Sequence, residues 1–202
     1  MDTQQERAEL KRKMPKTRLR GRHLDECKLL VDRYELLSRL PKNGVCAEIG
    51  AAFGDYTGEI LARAEPARLH LIDAWESERY REGLSRIEDR FAEQISAGQV
   101  LINRGLSTEC LAGFDDAYFD WVYIDTSHAY KTTWEELCLC DAKVKPGGRI
   151  LGHDFCTGNV VKPVPYGVIE ACHRFCAERD WGYEYLTLEY HGHFSYCLKR
   201  IA

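Results

Sequence analysis

Apolar and polar positions follow two rhythms along the chain. "VCAEIG" (45–50), "ARLHLIDAW" (67–75), "GQVLINR" (98–104), "YFDWVYIDTSH" (118–128) and "KPGGRILGHDF" (145–155) carry short apolar runs bounded by turn residues, and predict buried strands. Between them lie segments with helical spacing: 56–64, the charged stretch 77–92, "STECLAGF" (107–114), "TTWEELCLCDAKV" (132–144) and "YGVIEACHRFCAERD" (166–180). A further helical pattern runs from Leu24 to Leu40 and stops at the breaker cluster Pro41-Lys42-Asn43-Gly44. The chain closes with two alternating segments, "YEYLTLEY" and "HFSYCLKR", joined around His191-Gly192 as a hairpin. Strands alternating with helices predict a three-layer α/β/α sandwich. Its sheet is expected to be mostly parallel, of about seven strands, with an antiparallel C-terminal hairpin.

Composition narrows the class without changing that picture. The 202 residues suit a single domain, expected over residues 23–202, and 45% hydrophobic with 30% charged residues is the balance of an ordinary globular protein. No apolar run nears the roughly 18 residues of a membrane span, and the polar amino terminus lacks the apolar segment of a secretory signal. Nine cysteines without a repeated spacing read as reduced thiols, so a cytoplasmic location and no membrane partner are expected. The net charge of −4 argues against a nucleic-acid partner. Residues 1–22 form a basic arm, through Lys11, Arg12, Lys13, Lys16, Arg18, Arg20 and Arg22, expected to be a solvated or partly disordered leader, with contact to RNA or phosphate as the alternative. The composition sets no oligomeric state, and a homo-oligomer is compatible with it.

In a parallel sheet, ligands lie beyond the carboxyl ends of the strands, which selects the residues at those ends. The first holds Glu48, Gly50, Ala51 and Gly54 in the pattern E-x-G-x-x-x-G, not the G-x-G-x-x-G of dinucleotide turns. A carboxylate there would oppose a pyrophosphate, since like charges about 4 Å apart cost about 4 kcal/mol at an effective dielectric near 20. S-adenosylmethionine carries an ammonium and a sulfonium and no phosphate, so the same carboxylate would favour it. Asp73, at the second strand end, is placed to accept hydrogen bonds from ribose hydroxyls.

With these motifs the chain resembles the class I S-adenosylmethionine-dependent methyltransferases, which have a Rossmann-like fold. The carriers are "VCAEIGAAFGDYT", "LHLIDAW", "GLSTECL", "FDWVYIDTSHAYKTTWEELCLCDAKVKPGGRILGHDF" and the final hairpin. More narrowly it is similar to small bacterial members with D-x-x-H-x-Y after the fourth strand and H-D after the fifth. The resemblance implies that Glu48 and Gly50 border the methionine part of the cofactor, Asp73 the ribose and Ser107 the adenine. Trp75 is placed either to cover the adenine or to pack under the next helix.

Methyl transfer to a hydroxyl needs an acceptor aligned with the sulfonium and a route for its proton. Asp125, His128, His153 and Asp154 fall at two neighbouring strand ends, with three roles open: general base, divalent-metal ligand, or support. Metal-dependent catechol-type relatives imply oxygen ligands matching Asp125 and Asp154. His153 beside them suits manganese or iron at least as well as magnesium. A metal-free route makes His128 or His153 the base. The expected activity is therefore O-methylation of a small-molecule hydroxyl. A nicotinamide-dependent oxidoreductase and a noncatalytic binding module are the rival classes. Cys138-x-Cys140 and Cys172…Cys176 read as helix packing in preference to zinc ligands, and His191-Gly192-His193 as turn chemistry. Tyr130, Trp134, Tyr166 and Tyr190 are either an aromatic acceptor pocket or core and rim.

Overall fold

A computed structural model describes residues 3–201. The first half forms α1 (Gln4–Lys13), β1 (Lys28–Leu30), α2 (Arg33–Ser38), β2 (Val45–Ile49), α3 (Asp55–Arg63), β3 (Arg68–Asp73), α4 (Gly83–Arg90), α5 (Ala92–Ser96) and β4 (Val100–Arg104). The second forms α6 (Ser107–Ala112), β5 (Phe119–Ile124), α7 (Tyr130–Lys143), β6 (Val144–Gly152), β7 (Gly158–Asn159), β8 (Val164–Pro165), α8 (Val168–Arg179), β9 (Trp181–Thr187) and β10 (Tyr196–Arg200). Eight strands make one sheet in the order β1-β9-β10-β6-β5-β2-β3-β4, and β7 pairs with β8 in a separate two-stranded ribbon. β2 to β6 pair parallel with one another, whereas β10 runs antiparallel to both β6 and β9. The Rossmann-like α/β/α sandwich with its closing antiparallel hairpin is thus present, with eight strands instead of about seven.

The extra strand comes from the stretch expected to be helical from Leu24 to Leu40. Asp32 interrupts that helix, because its carboxylate accepts from the Tyr34 and Glu35 backbone N–H groups and so starts α2 there. The residues before it extend and pair with β9 as β1. The charged stretch 77–92 also begins later than its spacing predicts. Gly83 sits so close to the Trp75 indole and the Ala52 carbonyl that a Cβ would lie 2.8 Å from the first and 2.1 Å from the second. Ahead of α4, residues 77–82 form a bend and turns, closed by Tyr80 N–H to Ser77 O (3.0 Å) and Gly83 N–H to Tyr80 O (2.8 Å).

Strand alternation distributes side chains to two apolar layers. Ala47, Ile49, Val122 and Ile124 face α6, α7 and α8, while Cys46, Trp121 and Tyr123 face α2, α3 and α4. Glu48 shares its parity with Cys46 and points into the second layer. It is buried at 2% exposure and accepts a hydrogen bond of 2.5 Å from the Thr57 hydroxyl on α3. Burial pushes its pKa up to about 8 against the lowering effect of Thr57.

The amino-terminal arm is more ordered than its composition suggests. Thr3 and Glu6 form a capping box at the start of α1, and Lys11 donates to the Tyr166 carbonyl and pairs with Glu170. The buried cysteines behave as small apolar residues, and all nine thiols are free. Among the described residues no helix is long and apolar enough to cross a membrane.

Two stability predictions follow from these contacts. Gly50 has φ +95°, and a Cβ there would lie 2.0 Å from the Asp125 carbonyl oxygen; exposed Gly98 has φ +72° and nothing within 4 Å. Gly50→Ala should therefore cost about 3 kcal/mol or more in urea unfolding, whereas Gly98→Ala should cost only about 1 kcal/mol. For Glu48, the folded carboxyl keeps its proton until about pH 8, while an unfolded one releases it near pH 4.3. Stability due to this group therefore falls as pH rises through that window. The stability of Glu48→Gln relative to wild type should increase by at least about 1 kcal/mol between pH 5 and pH 8. An unchanged difference would show that the carboxyl is ionised in the fold.

Candidate functional site

The parallel strands change direction of progression at β2, with β3 and β4 on one side and β5 and β6 on the other. Such a switch point opens a crevice at the carboxyl ends. A cavity of about 420 Å³ lies there, bordered by Gly50, Asp73, Tyr80, Leu106, Ser107 and Asp125 among others. Backbone bonds continue across the strand tips: Gly105 N–H to Asp73 O (3.0 Å), Gly50 N–H to Ile72 O (2.8 Å), Asp125 N–H to Ile49 O (2.8 Å) and His153 N–H to Ile124 O (3.0 Å). These residues are consequently fixed by the sheet.

Asp73 does two things. It lines the cavity, and its two oxygens accept the Ala52 N–H (3.0 Å) and the Trp75 N–H (2.9 Å), clamping the turns after β2 and β3 together. A carboxylate can accept about four hydrogen bonds, so it retains acceptor capacity toward the cavity. Ser107 lines the wall at the first residue of α6. Behind the wall, Glu136 of α7 is fully buried, accepts from the Thr126 hydroxyl (2.9 Å), and has its pKa raised to about 7 by burial.

Other residues expected around the cofactor are placed elsewhere. Glu48 does not border the cavity but lies beneath it, because strand parity turns its side chain toward Thr57. Ala51 is buried in the same apolar layer. Gly54, at φ +79°, caps α3 and allows Ile87 and Phe91 to approach within 3 Å of where a Cβ would be. Trp75 is 2% exposed, and its indole N–H donates to the Ala52 carbonyl at 2.8 Å, so of its two readings it takes packing.

Beyond Asp125 the cavity meets a polar cluster. His128 Nε2 lies 3.1 Å from Asp125 Oδ1 and 2.8 Å from Asp154 Oδ2. His153 Nδ1 is 3.5 Å from Asp154 and 3.9 Å from Asp125. Its Nε2 is buried without a protein partner, and the ring borders a small internal cavity of about 10 Å³ with Thr126, Thr133 and Tyr196. His193 Nδ1 hydrogen-bonds to Asp154 Oδ1, and Cys156 Sγ lies 3.7 Å from that nitrogen. Donor atoms of Asp125, His128 and Asp154 lie within 4.8 Å of one another, as do those of Asp154, Cys156 and His193.

Burial opposes charging of His128, but its hydrogen bonds to both carboxylates outweigh that and push its pKa up to about 9. The two carboxylates thus favour the charged imidazolium over the neutral ring. Burial likewise opposes ionisation of Asp154, and the hydrogen bonds from His128 and His153 overcome it, holding the carboxyl far below the usual range.

Several residues at or beside the cavity and the cluster carry little or no signal in the sequence. Tyr80 sits in a turn with no periodic signal, and Cys156 follows two residues after Asp154 without a motif. His193, expected as turn chemistry, reaches Asp154 from the connection between β9 and β10. A glutamate within the apolar face of α7 was the available sign for Glu136. Of the four aromatic candidates, Tyr166 stacks obliquely on His128 with ring centroids 4.6 Å apart. Tyr130 and Trp134 instead contact Arg174, and Tyr190 is fully exposed. Among the described residues, Cys138, Cys140, Cys172 and Cys176 belong to no metal-competent group.

Comparison with known proteins finds the same fold. A protein from Sulfolobus solfataricus assigned to the type 11 methyltransferases is 18% identical, with a TM-score of 0.58 over 80% of this chain and 86% of that one. An O-methyltransferase family protein from Burkholderia thailandensis is 13% identical with a TM-score of 0.58; 84% of this chain aligns with 55% of that longer protein. The 1,6-didemethyltoxoflavin-N1-methyltransferase of the same organism, solved with bound S-adenosylhomocysteine, is 12% identical with a TM-score of 0.57, covering 80% of this chain and 72% of that one. These likenesses show the fold. No curated protein matches the sequence. The family model described as a methyltransferase domain matches residues 47–155, more than half of the chain and the stretch that carries both the cavity and the strand-tip cluster up to Phe155. The chain belongs to the methyltransferase-domain family.

Proposed function

We propose that this protein transfers the methyl group of S-adenosylmethionine to a hydroxyl of a small molecule, as a member of the group with D-x-x-H-x-Y and H-D motifs. The observation that carries the reading is the continuity between two unlike regions. The cavity has Asp73 and Ser107 at one end and Asp125 at the other, and Asp125 is also part of the Asp125–His128–Asp154 array. In this reading, Asp73 accepts from ribose hydroxyls, Ser107 meets the adenine, and Gly50 lets the methionine part pass close to the β2 turn. The transferable methyl then lies near Asp125, facing the array.

In this reading the acceptor hydroxyl gives its proton to the Asp125 carboxylate, the member of the array that borders the cavity, with His128 holding that carboxylate in place, which is why oxygen is preferred over an amine that needs only positioning. Tyr166, stacked on His128, supplies an apolar surface for the acceptor. A divalent cation at this end would be held by Asp125 and Asp154 with His153, and His128 offers a nearer nitrogen. Two carboxylates with imidazoles suit manganese or iron better than magnesium, which favours oxygen throughout. When bound, it would lower the acceptor hydroxyl's pKa.

Calorimetric titration should give saturable S-adenosylmethionine binding and none with NAD. Asp73→Asn should weaken that binding roughly tenfold or more, from loss of a hydrogen bond to a charged group. His128→Gln should lower turnover of a hydroxyl substrate by about 10²-fold or more, while S-adenosylhomocysteine affinity changes by less than about threefold. Binding of NAD alone sinks the assignment, and undiminished turnover in His128→Gln removes the array from the chemistry.

A further inference from the structure

We propose that Asp154, Cys156 and His193 form a binding site of their own for a zinc-class divalent cation, through a carboxylate oxygen, a thiolate and an imidazole nitrogen. The site deepens the reading of the acceptor side, and only its part in methyl transfer rests on that reading.

The ligands converge by construction of the backbone. Asp154 adopts the left-handed conformation, φ +55°, and the Cys156 N–H bonds to the Asp154 carbonyl at 2.7 Å, closing a tight turn that sets residues 154 and 156 side by side. The third ligand arrives from a distant segment. Phe155 N–H bonds to the Phe194 carbonyl at 2.9 Å, which docks the connection between β9 and β10 on the loop after β6 and brings His193 to both partners. A thiol, an imidazole and a carboxylate within 4.8 Å are the mixed soft and hard donors that zinc, cobalt(II) or iron(II) accept and magnesium does not.

Cys156 differs from the cysteines that fill space. Cys46, Cys140, Cys172, Cys176 and Cys197 are fully buried within the apolar layers or beside them, whereas Cys156 is half-buried with polar atoms at its sulfur: His193 Nδ1 and the Gly158 carbonyl, each at 3.7 Å. Asp154 faces the two triads with different oxygens, Oδ2 toward His128 and Oδ1 toward His193. The thiolate site therefore lies on the opposite edge of that carboxylate from Asp125 and His128. Three protein ligands leave a fourth tetrahedral position for water or an acceptor oxygen. Binding releases the thiol proton to solvent.

The test uses the full chain, stripped with a chelator and titrated with cobalt(II) as the spectroscopic probe. A thiolate-to-cobalt charge-transfer band should appear with the visible absorption of a tetrahedral ion, and zinc should displace it. Cys156→Ser should lose the band, and His193→Ala should weaken cobalt affinity roughly tenfold or more. Cys156→His, which replaces sulfur by nitrogen, should retain cobalt binding without the band, and near-ultraviolet circular dichroism checks that each variant is folded. Absence of the band in folded wild type, or its persistence in folded Cys156→Ser, overturns the site. Parallel titration with S-adenosylhomocysteine separates the two readings: binding without the band sinks the metal site alone, and the band without binding sinks the methyltransferase cofactor reading alone.

Discussion

The row of backbone hydrogen bonds across the strand tips is the constraint on which the site depends. One bond per strand, from Gly105, Gly50, Asp125 and His153 to the neighbouring strand, extends the sheet just past its formal ends. The cavity and the charged cluster are therefore two stretches of a single edge, and their spacing is set by the inter-strand distance of about 4.8 Å. Gly50 is the tightest point in that row, since only a residue without a side chain lets β2 turn away against the Asp125 carbonyl. Four of the eight non-glycine residues with positive φ among the described residues, Ala52, Trp75, His128 and Asp154, follow β2, β3, β5 and β6 in turn. These four strands hand over to their loops through a left-handed residue, a costly conformation that persists where surrounding contacts enforce it.

Much of this was legible in the chain. Five short apolar runs separated by helical patterns are enough to specify a parallel sheet, and a parallel sheet specifies which ends matter. Asp73, Ser107, Asp125 and Asp154 are found at those ends because each follows the last apolar residue of a run or opens the next helix. What spacing did not reveal is direction. Glu48 stands one residue before the end of β2, and its parity with Cys46 sends it under α3. The charge facing the cavity comes from Asp73 and Asp125, both of which border it. Those two carboxylates, not Glu48, would repel a pyrophosphate at the strand tips.

Contacts between remote segments were less readable still. His193 and Asp154 are far apart in sequence, and their meeting depends on β10 inserting antiparallel between β6 and β9. A histidine flanking a glycine in a turn has no local feature that announces such a contact. The edge strand β1 was hidden differently, since its few apolar residues fit a helical spacing until Asp32 is recognised as a cap.

Lys11 links the amino-terminal helix to this edge. Its ammonium reaches the Tyr166 carbonyl and Glu170, and the Tyr166 ring lies against His128. α1 thereby buttresses the far side of the polar cluster, two contacts away from the histidine. A protein trimmed before residue 14 would retain its entire sheet, yet the aromatic wall beside His128 would stand without its outer brace.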